Sequence, residues 1–96
     1  MTVRILVVDD APEVRRLVRA VIDARDRDWS VAEEAADGRS GVEAAGRTRP
    51  DLVLLDLMMP VMDGLQAIPL VRHAAPSALV VVLTGFASDA ARDASM

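Results

Sequence analysis

Leu52-Val53-Leu54-Leu55-Asp56-Leu57-Met58-Met59-Pro60-Val61-Met62-Asp63-Gly64 is the stretch that decides the fold. Four apolar residues run without alternation into one carboxylate, Asp56, and a loop punctuated by Pro60 and Asp63-Gly64 follows at once. An unbroken apolar run reads as a strand covered on both faces, the habit of parallel sheets rather than of one-sided antiparallel ones. Asp56 then falls at the strand's carboxyl end, where open α/β sheets bind their ligands. On this reading Asp56 is the reactive residue and the chain upstream of it serves to position it.

Working outward, Arg4-Ile5-Leu6-Val7-Val8 is a second unbroken run, and it too ends in carboxylates, Asp9-Asp10. Ala11-Pro12-Glu13 opens a helix, since proline is tolerated where its missing N–H would be unpaired anyway. Val14, Leu17, Val18, Val21 and Ile22 follow at the spacing of one buried helix face, which leaves Arg15, Arg16, Arg19 and Asp23 as a solvated face. After the polar break Asp26-Arg27-Asp28, the segment Trp29 to Ala35 is more polar and partly alternating, as an edge strand is, with Trp29 expected to pack as a lid. Asp37-Gly38 is a turn, and a second helix from Arg39 to Thr48 is expected to bury Val42, Ala44 and Ala45 before Pro50 stops it.

On the other side, Gly64 to Ala75 reads as a third helix with Leu65, Ile68, Leu70 and Val71 apolar. Pro69 inside it predicts a kink, or a helix that begins later. Ala78 to Leu83 is a fourth strand closed by Thr84-Gly85, and Ser88 is placed to cap a fourth helix over Asp89 to Ala94. Strands alternating with helices of this length demand parallel pairing and right-handed crossovers, hence one α/β domain with a doubly wound sheet over residues 1–96. The crossover rule alone does not set the strand order.

Composition narrows the function. Apolar residues make up 52% of the 96, enough for a core, and there is no cysteine for disulfides, zinc clusters or thiol catalysis. A formal net charge of −4 argues against nucleic-acid binding by this segment. No apolar stretch is long enough to span a membrane and no signal-peptide layout opens the chain, so a cytoplasmic protein is expected. All eleven basic residues are arginine.

Three of the four predicted strands end in a polar group: Asp9-Asp10, Asp56 and Thr84. In a parallel sheet these groups share one edge. Carboxylates gathered there repel, and either a pKa rises or a cation enters. A hard divalent ion such as Mg²⁺, which keeps waters and usually accompanies phosphates, is the less costly solution. The combination points to phosphoryl transfer, with Asp56 as nucleophile, Mg²⁺ neutralising the transferred oxygens and the Thr84 hydroxyl donating to one of them.

Val7-Val8-Asp9-Asp10, Asp56 followed by Met59-Pro60 and Met62-Asp63-Gly64, and the apolar strand ending in Thr84-Gly85 resemble, in order and spacing, the receiver domain of bacterial two-component response regulators. The resemblance implies a flavodoxin-like fold with strand order 2-1-3-4. It further implies that Asp56 takes a phosphoryl group from a sensor histidine kinase, a phosphotransfer protein or a small phosphodonor. Asp10 and Asp56 would ligate Mg²⁺ directly, Asp9 through water, and Met58 would offer its backbone carbonyl. Thr84 matches the switch hydroxyl, and Gly85 the small residue that leaves room for the phosphoryl group. Catalysis by the chain itself would be limited to taking the group and slowly hydrolysing it.

One departure stands out. Receivers of this family continue into a fifth strand with a lysine at the site and a fifth helix, and this chain has no lysine. Arg92 is a poor stand-in, because a planar fork on a helix does not replace an ammonium at a strand end. The fourth strand would then be an exposed edge, and self-association through it or through the thinly covered sheet face is expected. Two other functions fit the same residues: a phosphorylation-independent binding or dimerisation module, and a Mg²⁺-dependent phosphohydrolase. Met58 stands where that second family carries a further Asp. Blander readings make Asp9-Asp10 a strand-end turn or cap, Met58, Met59 and Met62 packing residues, and His73 a surface residue.

Overall fold

The two unbroken apolar runs become the two central strands. The computed structural model describes residues 2–25, 28–59 and 62–83. Its elements are β1 (Val3–Val8), α1 (Pro12–Arg25), β2 (Trp29–Ala35), α2 (Gly38–Thr48), β3 (Leu52–Leu55), α3 (Gly64–Ala74) and β4 (Leu79–Val82). All pairings are parallel and the order is β2-β1-β3-β4, as the family resemblance implied. Ile5, Leu6, Val7 and Val8 are 0% exposed, as are Val53 and Leu55, so strands that read as two-sided are covered on both sides.

The register brings the strand ends level, Val8 opposite both Ala35 and Leu55, and Leu55 opposite Val82. The ladder then runs one residue further on each strand: Asp9 N donates to Ala35 O (3.0 Å), Asp56 N to Val8 O (2.9 Å) and Leu83 N to Leu55 O (2.8 Å). Those steps set Asp9 and Asp56 side by side just past the sheet. A β-bulge between Ile5 and Leu6, opposite Ala32, corrects the β1–β2 register on the way there.

The two faces of the sheet are unequally covered. On one, α2 and α3 lay Ala44, Ala45, Ala67 and Val71 over Leu6, Val8, Val53 and Leu55. Small residues let α2 come close: a Cβ on Gly41 would stand 2.8 Å from Val8 Cγ1. On the other face α1 supplies Ile22 and Val18 against Ile5, Val7, Leu52 and Leu54.

Several expectations need correction. Leu17 and Val21 do not share the buried face of α1, being 52% and 48% exposed. Val18 and Ile22 carry the contact with the sheet, Val14 is buried one turn earlier, and Leu17 and Val21 lie on the flank, where no described element covers them. Helix α3 starts at Gly64, not later, because Asp63 and Gln66 form a capping box: Gln66 N donates to Asp63 Oδ1 (2.9 Å) and Asp63 N to Gln66 Oε1 (3.2 Å). Pro69 stays inside α3 on its exposed side, and Leu65 and Leu70 are exposed too, while Ala67 and Val71 carry the packing. Trp29 is no lid but 43% exposed, beside Val21, Ile22 and Arg25. Among the described residues no helix is long and apolar enough to cross a membrane. The fourth helix expected over Asp89 to Ala94 lies outside the described residues.

Candidate functional site

The carboxyl edge gathers three aspartates. One carboxylate oxygen from each of Asp9, Asp10 and Asp56 lies within 4.8 Å of the others. Asp9 and Asp56 are buried, at 5% and 8% exposure, and Asp10 is exposed. Each buried carboxylate is held by a backbone amide two residues on. Ala11 N donates to Asp9 Oδ1 (2.9 Å) and Met58 N to Asp56 Oδ1 (3.0 Å), so both strand ends close in the same Asx-type turn. That is the local reason aspartate suits these two positions.

Electrostatics mark the cluster as strained in charge. Burial pushes the Asp9 carboxyl above its ordinary value of 3.8, and the charges of Asp56 and Asp10 push it further, while the Ala11 amide and the Arg15 guanidinium pull it back.

A glycine shapes the floor. The start of α3 crosses so close to the end of β3 that a Cβ on Gly64 would stand 2.6 Å from Leu57 Cα and 2.7 Å from Asp56 O. Gly64 N donates to Leu57 O (3.1 Å) across the same gap. The Asp63-Gly64 pair therefore does more than begin a helix: it lets the loop after Asp56 fold back against its own strand.

The structure thus brings together Asp9, Asp10 and Asp56 from the predicted set. Met58 belongs to the same turn through its backbone, its side chain 67% exposed, while Met59 is buried. Thr84 and Gly85 lie outside the described residues. His73 is exposed in the last turn of α3, away from the site.

Arg15 was missed. Read from the sequence as part of a solvated arginine face, its side chain is only 17% exposed. Its Nη1 donates to Asp9 O (2.5 Å) and its Nε lies 3.3 Å from Glu34 Oε1. Arg19 joins Glu34 from the next turn, its Nη2 at 2.7 Å from Oε2. The available signal was the acidic pair Glu33-Glu34 in the strand that follows this helix in the chain.

Residues 5–96 match the family model described as "Response regulator receiver domain". Over 81 residues the chain is 46% identical to protein-glutamate methylesterase/protein-glutamine glutaminase 4 of Myxococcus xanthus, an alignment covering 84% of this chain and 23% of that protein. It superposes on the response regulator domain of Thermotoga maritima CheB with a TM-score of 0.82 and 29% identity, over 93% of this chain and 65% of that one. For the REC domain of AraT, a response regulator from Geobacillus stearothermophilus, the values are 0.80 and 31%, over 100% and 77%. The chain spans less than a quarter of the length of the methylesterases it matches.

Proposed function

We propose, from the premise that this chain belongs to the response regulator receiver domain family, that Asp56 accepts the phosphoryl group and that Asp9 and Asp10 complete a Mg²⁺ site beside it. The chain is a receiver module of two-component signalling, and it covers only the receiver portion of its methylesterase relatives. The observation that carries the residue assignment is the meeting of three carboxylates within 4.8 Å at the end of the two central strands.

The donor set fits the ion. Mg²⁺ is a hard cation held by one or two carboxylates with waters retained. Asp9, Asp10 and Asp56 offer oxygens of that kind within 4.8 Å of one another. Burial raises the Asp9 carboxyl most, and the charges of Asp56 and Asp10, which a cation would offset, raise it further. Asp10 and Asp56 are assigned as direct ligands, Asp9 as a ligand through water, and the Met58 carbonyl as a further oxygen. Bound there, the ion supplies positive charge to the phosphoryl oxygens.

The chain's own part is nucleophilic. Met58 N donates to Asp56 Oδ1, whose second lone pair stays open to the ion, and Oδ2 is assigned as the oxygen that attacks phosphorus. The new O–P bond forms as the N–P bond of a phosphohistidine, on a sensor kinase or phosphotransfer protein, breaks and the imidazole leaves. A small acyl phosphate serves by the same displacement. Thr84 and Gly85 complete the assignment as switch hydroxyl and small neighbour. We place the module in the cytoplasm, where such donors act.

The test is intact mass after incubation with Mg²⁺ and acetyl phosphate, beside Asp56→Asn. One added phosphoryl group, dependent on Mg²⁺ and absent from the variant, is the expected result. No gain in the unsubstituted chain overturns the assignment in favour of a phosphorylation-independent binding module. We also assign self-association to β4, the outermost described strand, whose Leu79, Val81 and Val82 are 66%, 37% and 37% exposed. Sedimentation velocity should show a dimer that Val81→Lys dissociates, and a monomer at all concentrations overturns this reading.

A further inference from the structure

Resting on the Mg²⁺ reading above, we infer that Arg15 is a positioning residue for the acidic site, acting on Asp10 through the peptide that joins it to Asp9. The Arg15 guanidinium donates to the Asp9 carbonyl at 2.5 Å. That carbonyl and the Asp10 N–H belong to one rigid plane, so fixing one fixes the direction in which Asp10 leaves the strand. Asp10 itself is exposed, whereas the Asp9 carboxylate is tied down by the Ala11 amide at 2.9 Å. Of the three aspartates, Asp10 thus depends most on its backbone for placement.

Arg15 is itself well anchored. Its own amide donates to Ala11 O (3.1 Å), so backbone and side chain of one residue grip the turn from both ends. Glu34, opposite Val7 on the neighbouring strand, holds Nε at 3.3 Å, and Arg19 steadies Glu34 with contacts of 2.7 and 2.9 Å. Helix α1, strand β2 and the end of β1 meet in this clamp. A planar fork reaching two acceptors is a task lysine performs poorly.

The sign of the effect separates positioning from mere charge. A cation near a divalent site opposes the metal, so an Arg15 acting only by charge would tighten Mg²⁺ binding when removed. An Arg15 that positions Asp10 weakens it when removed, on the scale of outer-shell partners at metal sites, roughly tenfold or more.

The experiment is Mg²⁺ titration by calorimetry on Arg15→Met, Arg15→Lys and, as a charge-matched control, Arg16→Met, with the exchange rate of the Ala11 amide followed by NMR in metal-free protein. Arg16 is exposed, its side chain turned to Pro12 O. Arg15→Met is expected to weaken Mg²⁺ about tenfold and to speed Ala11 exchange, Arg15→Lys to recover part of both, and Arg16→Met to weaken nothing. Binding by Arg15→Met as tight as in the unsubstituted chain, or tighter, overturns the inference. Should Arg15→Met prove unfolded by circular dichroism, Arg15→Lys decides, because it keeps the charge and loses the fork: weaker Mg²⁺ binding than in the unsubstituted chain is expected, and unchanged binding overturns the inference. If the unsubstituted chain takes up no Mg²⁺, it is the metal reading that falls, and the Ala11 exchange rate still tells whether Arg15 holds the turn.

Discussion

Strand β3 is bounded by two aspartates five residues apart, and they live in opposite worlds. At its amino end, exposed Asp51 accepts the Arg4 amide on Oδ2 at 2.8 Å, while its own amide donates to Arg4 O (2.8 Å) and its carbonyl accepts from Leu79 N (3.0 Å). Arg4 extends the knot, its Nη1 reaching Thr48 O and Arg49 O at 2.5 and 3.3 Å. At the carboxyl end, Asp56 is buried beside two more carboxylates. One edge of the sheet is electrically settled and stitches strands and helix ends together. The other concentrates like charge in a partly desolvated place, which folding alone would not favour. An edge with unrelieved charge is where a ligand has something to gain.

The contrast breaks most sharply on chemistry. Neutralising Asp56 as asparagine should take phosphoryl uptake from one group per chain to none, while Asp51→Asn should leave uptake intact, both read by mass with Mg²⁺ and acetyl phosphate. Equal loss from the two variants would mean that the edges differ in appearance only.

Much of this was legible in the sequence, for a physical reason. Buried parallel strands announce themselves as unbroken apolar runs, so Ile5 to Val8 and Leu52 to Leu55 located both central strands, and the residues after them had to share an edge. Periodicity is blinder to what flanks a helix. It grouped Leu17 and Val21 with Val14 and Ile22, although only residues spaced by four meet the sheet, and it grouped Arg15 with exposed Arg16, although one turn of the chain brings Arg15 back onto Asp9. Pro69 masked a capping box that was plain in Asp63 and Gln66. Pro69 lies on the exposed side of α3, where water reaches the Leu65 carbonyl that its missing N–H leaves without the usual helix donor.

A smaller effect follows from Asp9. Its carboxyl titrates higher in the folded chain than in the unfolded one, so between the two values the folded state binds more protons. Stability from this group is therefore fully present below its ordinary value of 3.8 and is lost as pH rises through the raised value. Urea unfolding of the metal-free chain across the acid range, minus the same series for Asp9→Asn, should show that fall. Mg²⁺ should flatten it, because the bound ion offsets the repulsion between Asp9 and its neighbours. A difference curve that instead rises with pH would contradict the view of Asp9 as raised by burial and by the like charges beside it.

The smallest expected effect lies at the settled edge. Asp51→Ala removes one hydrogen bond, to the Arg4 amide, from an exposed position where water takes the vacated place. The backbone bonds of residue 51 to Arg4 and Leu79 do not depend on its side chain. The loss should be about 1 kcal/mol of stability, with Mg²⁺ affinity unchanged, since the site lies at the other end of the strand. A loss several times larger would mean that the Arg4 knot sets the registry of β1, β3 and β4, and the acidic edge would then feel it too, because the same registry aligns Val8 with Leu55 and so Asp9 with Asp56.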